Sequence, residues 1–296
     1  MPDNHNAVAF LGLGNMGARM TGRLVAAGFD VIGFDPAEPA RRTLIDAGGR
    51  TVDTAAQAFR AADRVILMLP STRVVESVLD DTEIRQALRP GMTVIDMSSS
   101  EPLSTRRLAG DLAEYKVTLI DAPVSGGIAG ATAGRLTIMA GGPQDVLSQL
   151  DSLFAPLGQV RHVGDTGTGH AVKAVNNLLS AVNLLAAAEG VAAATQFGVD
   201  PAVLIETINA ASGRSAATEL KFPQAILPET YNSGFALRLM LKDMRIATTL
   251  ATSVGLPAHL GEQALALWSA ADAALGEGAD QTEIARWIAE GGSHTT

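Results

Sequence analysis

The stretch Gly167-Thr-Gly-His-Ala-Val-Lys-Ala-Val-Asn-Asn177 places one amine and two amides near the start of a long Ala/Leu-rich run with a helical pattern. At helical spacing Lys173 and Asn177 are i and i+4, so both project from one face, with Asn176 beside them at i+3. Burying an ammonium without a partner is expensive. Lys173 therefore either reaches solvent or faces a cleft where something anionic or carbonyl-like binds. A lone lysine on a core helix usually snorkels to water, but the adjoining Asn pair points to the cleft.

A second constellation lies at the other end of the chain. Phe10-Leu-Gly12-Leu-Gly14-Asn-Met-Gly17 follows a β-type run and opens a helical one, the context in which a G-x-G-x-x-G pattern is informative. Gly12 suits the tight turn, Gly14 lets backbone approach a pyrophosphate, and Gly17 lets helix pack on strand, with Leu13, Asn15 and Met16 supplying the rest of the loop. The amides at the helix N-terminus then face the phosphates. Asp35 ends the next strand, where a carboxylate accepts hydrogen bonds from the adenosine ribose hydroxyls. A 2′-phosphate there meets like charge, and Pro36 and Ala37 offer no cation, so NAD is expected over NADP; Arg41 and Arg42, one helical turn on, soften that preference. The plain alternative is an ordinary βα turn with Asp35 as a helix cap.

The elements that must position these groups can be read from periodicity. From residue 7 to about 165 short β-type runs (Val8–Leu11, Asp30–Phe34, Arg64–Leu69, Thr93–Asp96, Val117–Ile120, Leu136–Met139) alternate with helical stretches (Met16–Ala27, Ala37–Ala47, Thr72–Val78, Leu103–Tyr115, Gln144–Phe154). Several β runs are apolar throughout, as in a parallel sheet covered on both faces. The alternation predicts an α/β Rossmann domain with a doubly wound parallel sheet. After Gly169 the β signal disappears: His170–Phe197 reads as one long helix joining the halves, followed by helices at Pro201–Ala211, Ala236–Val254, His259–Leu275 and Gln281–Ala289. The expected division is 1–165, dinucleotide-binding, and 166–296, an all-α substrate and dimerisation domain. The many alanines of the long helix permit close approach of a neighbour, and a homodimer or homotetramer is expected.

Composition removes several function classes. A chain of 296 residues with 47% hydrophobic and 18% charged residues is globular and long enough for two cores. A net charge of −9 leaves no basic stripe for nucleic acid. With zero cysteines there is no disulfide, thiolate nucleophile or zinc-thiolate site, and no His/Asp/Glu spacing suggests another metal. The N-terminal Met-Pro-Asp-Asn-His-Asn shows no leader pattern, and Asn183, Glu189 and Gln196 interrupt the most apolar stretch, so a cytoplasmic protein without a membrane span is expected.

Four segments together resemble the β-hydroxyacid dehydrogenase family, which includes 3-hydroxyisobutyrate and L-serine dehydrogenases: Phe10–Gly17, Asp121-Ala-Pro-Val-Ser-Gly-Gly127, Gly167–Asn177, and Lys242-Asp243 within Leu239–Met244. The resemblance covers nearly the whole chain. It implies a Rossmann domain, a helical domain and an active site in the cleft between them. Carried over by position, Lys173 is the catalytic lysine and Asn177 a substrate-orienting amide. Ser125, Gly126 and Gly127 hold the substrate carboxylate. Ser99 stands where relatives often have Thr near substrate or nicotinamide ribose. Leu69 and Pro70 line the cofactor, Lys242 closes over it, and Asp243 lies nearby.

The chain departs from close relatives at Ala216, where they tend to carry an aromatic side chain, and Arg214 in the same loop is a candidate for a second anionic group or simply an exposed arginine. The Ser-Gly-Gly loop, taken alone, reads as well as a flexible turn, and Lys242 as a solvated charge. His162 and His170 have no carboxylate at orienting spacing and read as structural. Lys173 is thus the acid/base candidate, its ordinary pKa of about 10.4 depressed by desolvation and by the cationic ring of oxidised cofactor. The expected activity is NAD-dependent oxidation of the 3-hydroxyl of a small β-hydroxyacid, or its reverse. The alternatives are an imine reductase on the same scaffold, against which the retained Lys173 speaks, and a dinucleotide-sensing module without catalysis.

Overall fold

The structure, a computed structural model, describes residues 6–292. The Met1–His5 stretch, included in the leader reading above, lies outside the described residues. The chain divides into two compact units between Lys173 and Ala174, inside the long helix Thr168–Phe197 and eight residues beyond the 165/166 boundary read from periodicity.

The first unit is built on nine strands: β1 (Ala7–Leu11), β2 (Asp30–Phe34), β3 (Arg50–Thr51), β4 (Arg64–Leu67), β5 (Thr93–Asp96), β6 (Thr118–Asp121), β7 (Val124–Ser125), β8 (Leu136–Gly141) and β9 (Gly158–Gly164). Their order is β3-β2-β1-β4-β5-β6-β8-β7, with β9 on β8. β3 through β6 are parallel; β8 runs antiparallel to β6 and β7 and parallel to β9. Alternate residues of each strand point to opposite faces. Val8, Phe10, Ile66, Ile95 and Ile120 enter one apolar layer, and Ala9, Leu11, Ile32, Val65, Val94 and Leu119 enter the other. Two covered faces explain why the strand sequences are continuously apolar. Strand order reverses between β1 and β4, and open α/β sheets bind ligands beyond the carboxyl ends of strands at such a point.

β2 and β5 have the limits read from the sequence. The short β3 and β7 and the polar edge strand β9 (Gly-Gln-Val-Arg-His-Val-Gly) have no apolar run to betray them. The stretch Gln144–Phe154 breaks into two helices, Gln144–Gln149 and Asp151–Phe154. The helix Ala55–Ala61 lies outside the helical stretches expected from periodicity, although Thr54 and Gln57 form a reciprocal capping box at its start.

The second unit is helical. The long helix from Ala174 onward, with helices Pro201–Asn209, Leu237–Ser253, His259–Leu275 and Glu283–Ala289, packs around Leu184, Ile205, Phe222, Met244, Trp268 and Trp287. The segment Ala217–Ile226 is a π-helix with Pro223 inside it, and a proline at that point ordinarily marks a break in a helical pattern. By length and composition the long helix is apolar enough to cross a membrane, with mean hydropathy 1.5 over its most apolar window. Leu179 and Phe197 on it are exposed.

Candidate active site

In the first unit the glycine loop after β1 is pinned to the end of β2. Leu13 donates its backbone N–H to Asp35 Oδ2 at 2.8 Å, and Ala37 donates to Oδ1 at 2.8 Å. Leu13 itself is buried in the core, so it offers the loop backbone only. A Cβ on Gly17 would lie 1.9 Å from the carbonyl oxygen of Gly12, so only glycine lets the helix Asn15–Ala26 close on the strand. Gly14 caps that helix with no side-chain acceptor, and a Cβ there meets nothing within 4 Å. Asn15 is exposed and Met16 half-buried beside it. Open helix-terminal amides above a glycine, with a carboxylate at the next strand end, fit a dinucleotide: Gly12–Gly17 would hold the pyrophosphate and Asp35 a ribose. Arg41 folds back so that Nη1 donates to the carbonyls of Asp35 at 2.6 Å and Pro36 at 3.2 Å, which puts a cation beside the same end.

At the ends of β4 and β5, Leu69 N donates to Ser98 Oγ at 2.9 Å, with Pro70 exposed next to it. Ser98 and Ser100 are buried, and both satisfy Asp96: Ser98 N donates to Oδ1 at 2.9 Å and Ser100 Oγ to Oδ2 at 2.8 Å. Ser99 is the partly exposed member of the triplet. Ser125 ends β7, and Gly126 and Gly127 stand exposed at the start of the helix Gly127–Ala133.

The first turns of the long helix are clasped to β6. Asp121, fully buried, accepts from Gly167 N at 2.6 Å and His170 N at 2.8 Å. It thus caps the helix from a different element, and burial pushes its pKa up against the pull of those bonds and of His170. A Cβ on Gly169 would lie 2.2 Å from Met139 O and 2.8 Å from Asp121 Oδ2, so the helix can approach the sheet only because residue 169 is glycine. His170 is buried; Nε2 lies 3.1 Å from Ser98 O and Nδ1 2.8 Å from Thr105 Oγ1. Asp96 and Asp121 approach its ring at 3.7 and 3.9 Å. Neither carboxylate lies at orienting spacing from His170 in the sequence, because both come from register-paired strand ends far along the chain. The available signal was the repeated Thr-Val-Ile-Asp96 and Thr-Leu-Ile-Asp121. Lys173 follows one turn later and is buried. His162, by contrast, is exposed and its Nε2 donates to the carbonyls of Gly142 and Gly164.

In the second unit Asn177 is buried and donates Nδ2 to Asp243 Oδ2 at 2.5 Å, while Asn176 Nδ2 donates to Asn177 Oδ1 at 3.0 Å. Lys242 Nζ stands 3.0 Å from the other Asp243 oxygen, an ion pair without the alignment of a hydrogen bond. Asp243 therefore holds both Asn177 and Lys242. Arg214 is exposed and pairs with Glu219 at 3.6 Å.

Residues 7–167 match the model of the NAD-binding domain of 6-phosphogluconate dehydrogenase, and residues 167–288 match that of the NAD-binding domain of NADP-dependent 3-hydroxyisobutyrate dehydrogenase. The NAD-dependent L-serine dehydrogenase of Pseudomonas aeruginosa is 36% identical over 88% of this chain and 90% of its own length. This chain belongs to the β-hydroxyacid dehydrogenase family. It is an NAD(P)-dependent oxidoreductase acting on CH–OH groups. The 2-(hydroxymethyl)glutarate dehydrogenase of Eubacterium barkeri is 34% identical over 81% of this chain and 80% of its own. Among solved structures, Mycobacterium tuberculosis 3-hydroxyisobutyrate dehydrogenase with L-serine is similar with a TM-score of 0.89 at 32% identity, covering 96% of this chain and 99% of that one. That dehydrogenase shares the Rossmann-like parallel sheet, the long helix and the helical C-terminal domain.

Proposed function

We propose that this dehydrogenase uses NAD to oxidise the 3-hydroxyl of a small β-hydroxyacid to the semialdehyde or ketone, or runs the reverse, with Lys173 as general acid/base. Bound nicotinamide supplies the hydride acceptor or donor. The amine of Lys173 takes the hydroxyl proton in oxidation and, as an ammonium, polarises and protonates the carbonyl oxygen in reduction. General acid–base help of this kind is worth roughly 10² to 10⁴-fold. Ser125 with the Gly126 and Gly127 amides binds the substrate carboxylate. Asn177, its amide direction set by Asp243, orients the substrate, and Lys242 with Leu69, Pro70 and Ser99 lines the cofactor.

The observation that carries the reading is a buried amine at position 173 on a helix whose start is locked to the sheet by Asp121 and His170. NAD over NADP rests on Asp35, with Arg41 beside it as a moderating cation. The names of the relatives span mono- and dicarboxylic hydroxyacids, and the absence of an aromatic wall at Ala216 favours a roomier pocket than serine needs. Exposed Leu179 and Phe197 on the long helix support pairing with a second copy of the chain, checked by light scattering in solution. For the chemistry, Lys173→Ala is expected to lower kcat at least about a hundredfold while NADH still binds, read by nicotinamide fluorescence. Near-normal turnover in that variant rejects the assignment.

A further inference from the structure

One cation of the helical unit has no part in the proton transfer just described. Lys221 stands on the π-helix Ala217–Ile226, and its Nζ donates to Ser180 Oγ at 3.0 Å and Gln281 Oε1 at 2.9 Å. Both acceptors are neutral. The carboxylate that acts on it electrostatically, Asp280, is committed elsewhere: Oδ1 accepts from Ser233 Oγ, Thr282 N and Thr282 Oγ1, and Oδ2 from the backbone N–H groups of Gly234 and Phe235. Burial pulls the pKa of Lys221 down to about 8, with Asp280 opposing the shift. The charge is therefore half-buried without a contacting anion, an arrangement that costs free energy unless a ligand uses it. An ammonium has three N–H donors, and these two bonds occupy two.

The partner Ser180 gives this cation its place. Ser180 lies seven residues beyond Lys173 and three beyond Asn177 on one continuous helix. Seven residues are nearly two whole turns, so the three side chains leave the same face, and the axial step from Lys173 to Ser180 is about 10.5 Å. Through Ser180, the Lys221 ammonium is thus tied to the helix face that also carries Lys173 and Asn177. π-Helical segments recur at functional sites because they displace a side chain from where an α-helix would carry it.

We propose that Lys221 is a specificity-determining residue that binds a second oxyanion on the substrate, so that the preferred substrates are hydroxyacids with a second carboxylate or similar group about four bonds from the reacting carbinol. This rests on the reading of Lys173 as the acid/base. A matched pair of probes tests it: 3-hydroxyisobutyrate, and 2-(hydroxymethyl)glutarate, which replaces the methyl group with a carboxyethyl arm. The wild-type enzyme is expected to give the higher kcat/KM with the dicarboxylate. Lys221→Met should lower the dicarboxylate-to-monocarboxylate ratio at least tenfold, mostly through KM, and Lys221→Arg should keep most of it. Should the Met variant not fold, Lys221→Gln removes the charge and keeps a donor for the same neighbours. A ratio left within twofold of wild type by the neutral variants overturns the proposal, as does a wild-type preference for 3-hydroxyisobutyrate. Failure of the Lys173 reading shows separately: Lys173→Ala would then turn over both probes normally, and the Lys221 ratio would still be measurable.

Discussion

Replacing Asp121 by asparagine tests whether the clasp at the start of the long helix governs catalysis. The carboxylate accepts two backbone N–H groups, Gly167 at 2.6 Å and His170 at 2.8 Å, with no exposure to water. Hydrogen bonds to a charged group contribute about 1.5–3 kcal/mol each. Asparagine keeps one acceptor oxygen and turns an NH₂ toward the other N–H, so one bond is lost and a buried donor is orphaned. A further loss of about 0.3–1 kcal/mol comes from removing negative charge at a helix N-terminus. Relief of the burial that raises the Asp121 pKa offsets part of this, and the net expectation is about 2–3 kcal/mol in a urea titration. Lys173 lies six residues beyond Gly167, so a displacement of the first turn moves its amine. A shift of about 1 Å at a reacting group can cost about a hundredfold, and kcat for hydroxyacid oxidation is expected to fall thirty- to hundredfold. The KM for NAD should hold within about twofold, because β6 is three strands from β1, about 14 Å at ordinary strand spacing. Stability within about 0.5 kcal/mol of wild type together with unchanged kcat would refute the reasoning.

Three further outcomes follow from other contacts. Asp35→Ser removes the acceptor that also anchors Leu13 N; the KM for NAD should rise about tenfold, the worth of roughly 1.4 kcal/mol, while that for NADP changes less. Asp243→Ala removes the 2.5 Å partner of the Asn177 amide and the ion pair with Lys242; stability should drop by about 2–3 kcal/mol, with a rise in hydroxyacid KM larger than the fall in kcat. Lys221 titrates at about 8 in the folded chain against an ordinary 10.5, so between those values the unfolded chain binds more protons. Stability should therefore climb with pH across that window, by about 1–2 kcal/mol after allowance for partial exposure, and Lys221→Met should abolish the rise in chemical denaturation at pH 7.5 and 10.

Much of this architecture is legible in the residues themselves. Strands covered on both faces show continuous apolar runs, such as Ala7-Val-Ala-Phe-Leu11 and Val65-Ile-Leu67, and the Ala/Leu-rich length of Thr168–Phe197 marks it as a helix. The glycine loop, Asp35 and the Lys173/Asn177 pair depend on local spacing and were visible for that reason. What escaped depends on long-range pairing: the Asp96 and Asp121 carboxylates around His170, the hold of Asp243 on Asn177 across 66 residues, and Lys221 between Ser180 and Gln281. No window of ten or twenty residues contains such partners. The π-helix Ala217–Ile226 is hidden for another reason: Pro223 stands inside it, where a proline ordinarily marks a break.

Gly169 sets a practical boundary for anyone reshaping this catalyst. With a carbonyl 2.2 Å and a carboxylate oxygen 2.8 Å from where a first side-chain carbon would sit, saturation mutagenesis at that codon should return the parental residue almost alone among active clones. Library diversity is better invested in the 214–221 segment, whose exposed stretches tolerate change and whose Lys221 reaches Ser180 on the long helix.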